Sequence, residues 1–250
     1  SVIGCFPTRF GPSPEHPGVD AWLPIVREGE FPGLLAQKFG VQAPCSGGRV
    51  RATPRHTAYL KISEGCNHVC TFCAIPSIRG RMKSRSLQEL VREASDLASS
   101  GAKEINLVAE DSTDWGRDIF GKPALHILLE ALSEVKGLRW IRLLYAYPSK
   151  VSDEVIKVLG SGGPVLPYLD MPIQHASDRV LAGMRRAYRR KDLEGLMDKL
   201  RGAVSGIALR TTLIVGFPGE REEDFQELES FLAGNPFDRI GVFAFSPEPG

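Results

Sequence analysis

Nothing in the 250-residue sequence approaches the roughly 20 consecutive apolar residues that cross a bilayer, which excludes a helical membrane span. A charged-then-apolar leader ending in a small-residue cleavage site is missing as well. Charge of one sign is not in excess: 31 Lys and Arg stand against 30 Asp and Glu, a net of +1. No global field therefore draws the chain toward nucleic acid or a lipid surface. Cysteine is scarce, and five is an odd number, so a complete disulfide framework is not expected. Unpaired thiols imply a reducing compartment, and the expected location is cytoplasmic. There is no internal repeat and no segment of low complexity. An initiator methionine is lacking too, and Ser1-Val2-Ile3-Gly4-Cys5 reads as the end of a buried strand. A domain rarely begins in mid-strand, so the chain is expected to be an internal portion of a longer protein.

What is present centres on Gly65-Cys66-Asn67-His68-Val69-Cys70-Thr71-Phe72-Cys73. Three of the five cysteines lie here at C-x-x-x-C-x-x-C spacing, directly after the alternating run Tyr59-Leu60-Lys61-Ile62-Ser63, which predicts a strand. Spacing this tight suits a metal better than a disulfide. A zinc site wants four ligands in a closed tetrahedron and would need a partner such as His68. A four-iron cluster accepts three thiolates and leaves one iron open. A structural thiol cluster is the bland alternative.

The length suffices for one large α/β domain and a small appendage. Residues 6 to 18 are expected to be loop, because Pro7, Pro12, Pro14 and Pro17 fix φ and remove donors. A strand over 19–26 and a short helix over 31–39 complete an α/β remnant, 1–42. Residues 43–57 carry glycine and bracketing prolines and read as a linker. The main domain, 58–250, alternates with regularity. Helices are predicted from Ser86 (a capping box with Glu89) to Gly101, over 125–135, from a second capping box at Ser152, over 192–204 and over 222–232. Strands are predicted over 104–108, 140–144, 168–171, 208–215 and 239–245. Six strand–helix units, the last without its helix, argue for an open, partial parallel β/α barrel. In such a fold chemistry sits on the loops after the C-terminal ends of the strands.

Those loops supply the candidates. Glu110 and Asp111 follow the second strand, where they bind a cationic amine or merely cap a turn. Tyr145 and Tyr147 follow the third and line a pocket or pack its rim. Gln174 and His175 follow the fourth, where a cofactor would lie, although a lone histidine is more often structural. Arg210, inside the fifth strand, needs a partner, either a cofactor carboxylate or a structural acid. Gly216 opens a Gly-Phe-Pro-Gly turn that lets backbone approach a flat ligand or is simply a tight turn. Two basic runs, Arg79-Arg81-Lys83-Arg85 and Arg185-Arg186-Arg189-Arg190-Lys191, meet RNA or an acidic protein loop, or are solvated faces.

The cysteine loop resembles that of the radical S-adenosylmethionine enzymes, with Phe72 at the aromatic position before the last cysteine. From about Tyr59 onward the chain is similar to the methylthiotransferase branch, in Glu64-Gly65-Cys66-Asn67, Ala74-Ile75-Pro76, Arg79-Gly80, Ser84-Arg85, and Ile214 through Glu220 followed by Glu223-Asp224-Phe225. Leu144-Tyr145-Ala146-Tyr147-Pro148 and Asp170-Met171-Pro172-Ile173-Gln174-His175 look like the ribosomal-protein, or RimO, type. The tRNA-modifying MiaB type has different residues at both places. The resemblance implies a 4Fe-4S cluster on Cys66, Cys70 and Cys73 that binds S-adenosylmethionine at its open iron. It implies cofactor contacts from Phe72, Glu110 or Asp111, Gln174, His175, Arg210 and Gly216. It also implies a second 4Fe-4S cluster in the full-length protein, of whose ligands only Cys5 is present; Cys45 matches none. The implied reaction inserts a methylthio group at the β-carbon of an aspartate in a small-subunit ribosomal protein, with electrons from a flavodoxin or ferredoxin. The alternatives are methylthiolation of a tRNA adenosine and, from another class, a zinc-stabilised ribosome-binding module.

Overall fold

The computed structural model describes residues 2–11, 18–19, 21–40 and 52–247. At the N-terminus β1 (Val2–Gly4) pairs in parallel with β2 (Trp22–Pro24). Between them the expected loop begins as a helix, Cys5–Phe10. Pro7 is accommodated because it falls in the first turn, where backbone N–H groups have no intrahelical partner. The strand expected over 19–26 is cut to three residues. It ends at Pro24, which lacks an N–H, and the chain continues as a 3-10 helix over Ile25–Glu30, closed by an Arg27–Glu30 ion pair. The helix Phe31–Phe39 forms as expected but buries none of its residues, and Phe39 is exposed. Most of the expected linker, with Cys45, lies outside the described residues.

The main domain is an open six-stranded sheet. Its strands are β3 (Thr57–Lys61), β6 (Glu104–Val108), β7 (Trp140–Leu143), β8 (Val165–Asp170), β9 (Ala208–Val215) and β10 (Arg239–Ala244). They pair in parallel and in chain order, β3 and β10 forming the edges. The intervening β4 (Ser63–Glu64) and β5 (Lys83–Ser84) form a two-residue antiparallel clasp at the base of the cysteine loop. One contiguous core runs from Ala58 to Phe231, and β6 buries Ile105 and Leu107 completely. Asn106 between them is buried on the opposite face, and such double-sided burial is what helices over a parallel sheet demand.

Three local differences have local causes. β8 begins at Val165, three residues before the expected 168–171, and its register against β7 shifts between the Ile141–Val165 and Leu143–Leu169 pairs. Pro167 sits inside that shift: without an N–H it cannot continue the ladder, and in the sequence it disguises the strand's first half. Ser152 does cap the helix Asp153–Leu159, accepting from the Val155 N–H at 3.4 Å. The reciprocal half of the expected box does not form, because Val155 at the third helical position has no acceptor. The helix expected over 192–204 starts at Arg190, with the Asp192 carboxylate accepting from the Arg189 N–H at 2.8 Å.

Candidate active site

A cleft of about 280 Å³ opens at the C-terminal ends of the strands. Cys66, Cys70 and Cys73 line it, with Phe72, Glu110, Tyr145, Tyr147, Gln174 and Arg186 around them. The cysteine loop reaches this position through a strict backbone requirement at Gly65. Its φ is +76°, and a Cβ there would lie 2.5 Å from the carbonyl oxygen of Arg81 and 2.6 Å from that of Gly80. The same approach lets the Cys66 N–H donate to Gly80 O at 3.1 Å. At the loop's far end, Thr71 donates through its hydroxyl to Gly183 O at 2.9 Å and through its N–H to Met184 O at 3.3 Å.

His68, a possible zinc ligand in the sequence, is otherwise engaged. Its Nε2 lies 2.7 Å from Asp111 Oδ2, and its ring stacks on Tyr147 at 3.7 Å and 10°. Among the described residues no three of His, Cys, Asp or Glu converge as a single metal ion requires. A zinc tetrahedron gathers its ligands around one centre, whereas an iron–sulfur cube takes one thiolate at each of several corners. Burial pushes the Cys66 thiol up to about 11 and raises Cys73 as well. A metal binding these thiols has to displace their protons, so its binding strengthens as pH rises.

The two adjacent acids part company. Asp111 is buried and spent on structure: it accepts from the Thr113 N–H at 2.9 Å, and its other oxygen takes His68 and, at 3.5 Å, Lys150. Desolvation would raise its pKa, but the hydrogen bonds from His68 and Thr113 prevail and hold it below the usual carboxylate value. Glu110 instead lines the cleft. Its Oε1 lies 3.4 Å from Arg79 Nε, and its buried Oε2 has no hydrogen-bond partner among the described residues. An unsatisfied buried carboxylate oxygen is costly, and a cationic amine in the cleft would satisfy it.

Gln174 lines the cleft with φ +68°, donating its N–H to Thr212 O at 2.9 Å. His175, its neighbour, is fully buried on the other side: Nδ1 accepts from the Ser177 N–H at 3.0 Å, and Nε2 lies 3.6 Å from Glu220 Oε1. Burial, only partly opposed by Glu220, lowers the His175 pKa. Arg210 finds the structural acid, Asp170, at 2.7 Å. Gly216 adopts φ +74° in its turn, with open space where a Cβ would be, and does not line the cleft. Cys5 stands nearby, its sulfur 3.3 Å from Arg79 Nη2. Arg79, read in the sequence as part of a basic run, thus spans from Cys5 to Glu110 and also pairs with Glu64.

Arg186 is the residue whose role the sequence conceals. Surrounded by four other basic residues, it reads as surface charge, yet its guanidinium lines the cleft and reaches Cys70 Sγ at 3.4 Å. Its one local signal is the tyrosine two residues on, since alternating cation and aromatic side chains often stack. Tyr145, Gln174 and Arg185 are the non-glycine residues with positive φ among those described. Two of the three line the cleft and the third precedes Arg186, so backbone strain gathers where the candidate chemistry lies.

An open parallel barrel with three convergent thiols at its strand ends defines a class, and direct comparison agrees. Residues 60–232 match the Radical SAM superfamily, to which this chain belongs. Within it, the chain is 45% identical over its full length to the ribosomal protein uS12 methylthiotransferase RimO of Myxococcus xanthus (strain DK1622), covering 54% of that protein. It is likewise 45% identical over its full length to the protein of the same description from Aquifex aeolicus (strain VF5), covering 57%. The chain thus spans little more than half the length of these curated relatives. Among solved structures, the radical S-adenosylmethionine methyltransferase TsrM of Kitasatospora setae, solved with cobalamin and a 4Fe-4S cluster, matches with a TM-score of 0.63 at 20% identity. That match covers 75% of this chain and 36% of TsrM. Coproporphyrinogen III oxidase (HemN) of Escherichia coli, a radical SAM enzyme, matches with a TM-score of 0.57 at 18% identity, over 76% of this chain and 44% of that one. At such identities the shared property is the fold.

Proposed function

We propose that this chain is the barrel portion of a cytoplasmic methylthiotransferase that modifies an aspartate β-carbon in a small-subunit ribosomal protein. The observation that carries the reading is that Cys66, Cys70 and Cys73 line one cleft with Glu110, whose buried Oε2 has no hydrogen-bond partner among the described residues. The three thiolates would hold a 4Fe-4S cluster, leaving one iron open. Together with S-adenosylmethionine such a cluster would supply one-electron chemistry able to remove a hydrogen atom from the target. The chain's own residues do the rest. Glu110 receives the cofactor's amino group, Gln174 offers polar contact from the fourth strand end, and Phe72, Tyr145 and Tyr147 wall the cleft against water. Asp111, His175 and Arg210 act one layer behind, with their partners inside the protein. Gly216 shapes the turn behind them.

Cys5 fits the second cluster expected of the full-length protein, since a single guanidinium bridges it to the cleft wall. Residues 1–42 belong in this reading to that second-cluster domain, 43–57 to a linker and 58–250 to the barrel. A flavodoxin or ferredoxin is the proposed electron donor. No described helix is long and apolar enough to cross a membrane.

The test is anaerobic reconstitution of the full-length enzyme, then incubation with S-adenosylmethionine and either small-subunit ribosomal protein or tRNA. The expected result is a methylthio mass gain on an aspartate peptide, lost in Cys66→Ala. A gain on tRNA adenosine instead would move the chain to the tRNA branch, and stoichiometric zinc without iron would sink the radical reading. Glu110→Gln should bind iron normally and weaken S-adenosylmethionine binding by about tenfold or more, as loss of a charge-assisted hydrogen bond predicts; calorimetry reads this directly.

A further inference from the structure

Arg186 is aimed by the backbone and then locked. The helix Asp178–Gly183 ends in a double reversal: the Arg185 N–H donates to Ala182 O at 3.0 Å and the Arg186 N–H to Leu181 O at 2.9 Å. This closure needs a left-handed residue, usually glycine, and here Arg185 fills the place at φ +54°. A non-glycine residue is strained there. The turn directs Arg186 back across the cleft.

Each face of its guanidinium fork is then occupied. Nη2 donates to Pro172 O at 2.9 Å, Nε to the Tyr188 hydroxyl at 2.6 Å and Nη1 to Cys70 Sγ at 3.4 Å. Tyr188 is itself fixed, because its hydroxyl donates to Ile173 O at 3.0 Å. The guanidinium carbon lies 4.3 Å from the centre of the Tyr147 ring and 5.0 Å from that of Tyr188. His68 stacks on Tyr147 at 3.7 Å. Two planar groups cannot share one ring face at such distances, so Tyr147 is sandwiched between His68 and Arg186. The result is a permanent cation with a hydrogen on sulfur, unable to swing toward solvent.

We propose that Arg186 is a positioning residue that sets the reduction potential of the cluster held by Cys66, Cys70 and Cys73. The inference rests on the iron–sulfur reading of the cleft. Adding an electron makes the cluster and its thiolates more negative. A fixed positive charge and an N–H···S hydrogen bond stabilise that reduced form more than the oxidised one, and so raise the potential. The other arginines of the run are not needed for this, because none of them has a described contact with a cysteine sulfur.

The experiment is a dithionite titration of the anaerobically reconstituted protein, followed by electron paramagnetic resonance without S-adenosylmethionine. A Cys5→Ala background leaves one cluster to read. In Arg186→Met the ratio of reduced to oxidised cluster at a set potential should fall at least tenfold, which is 59 mV for a one-electron couple. Arg186→Lys keeps the charge and loses the fork, so its shift should be smaller. Tyr188→Phe, which removes the anchor of Nε, should shift the potential in the same direction. Potentials equal to the parent's across the three variants, at equal iron content and with unchanged melting, would overturn the proposal. Equal loss of iron in both Arg186 variants would also overturn it, making Arg186 a holder of the loop rather than a regulator. If Arg186→Met fails to fold, the other two variants decide. A parent that takes up no iron fails differently, since it sinks the reading beneath the inference.

Discussion

Gly65 shows how narrow the tolerance of the site is at the scale of one residue. The 2.5 Å separation between its absent Cβ and Arg81 O is a backbone clash that no side chain can relieve by rotating. Gly65→Ala should therefore leave a folded barrel whose cysteine loop has lost its clasp, with reconstituted iron falling to a small fraction of the parent's. Iron analysis beside far-ultraviolet circular dichroism checks both halves. Glu110 and Asp111 make the opposite point. One lines the cleft beyond the end of β6 and the other turns into the interior, and composition alone left them equivalent. His175 has a consequence for pH. Its folded pKa lies below the ordinary value of 6.5 because it is buried neutral. Its stability contribution is thus fully present above about pH 6.5 and is lost as pH falls through the lower folded value. His175→Asn keeps an acceptor for the Ser177 N–H and removes the titration. Melting curves between pH 5 and 8 should show a flatter acid limb in the variant than in the parent.

At the scale of elements, periodicity and caps were legible where their signals are local. Ser86 accepts from the Glu89 N–H at 3.3 Å while Glu89 takes the Ser86 N–H at 3.2 Å, as the S-x-x-E spacing predicts. Ser86→Ala should cost about 1 kcal/mol, read as a lower urea midpoint with an unchanged slope. Ser152 shows the limit of the rule, because a cap needs only its own oxygen while a box needs an acceptor three residues on. Pro167 misleads in the opposite direction, hiding half of a central strand that survives by a register shift. Local chemistry names an element's ends well and its interruptions poorly.

At the scale of the molecule, the cysteine loop is a meeting point. It follows β3 and β4 and touches the loops after β6 and β7 through His68, and the turn that ends the helix Asp178–Gly183 through Thr71 and Cys70. Anything that binds the three thiolates only in the folded state stabilises all of these contacts together. Anaerobic reconstitution should accordingly raise the melting temperature of the barrel, and Cys70→Ala should abolish the rise; differential scanning calorimetry decides. The sequence by itself determined the alternation of strands and helices, the three-cysteine loop and the strand ends that surround it. These follow from side-chain period, caps and ligand spacing, all written within a few residues of one another. Only the tertiary structure decided which polar side chains face the cleft. Arg186 and Cys70 are 116 residues apart, and Arg210 and Asp170 are 40 apart. The partner of a buried charge is chosen by which strand ends the sheet order brings together, and no local pattern encodes that choice.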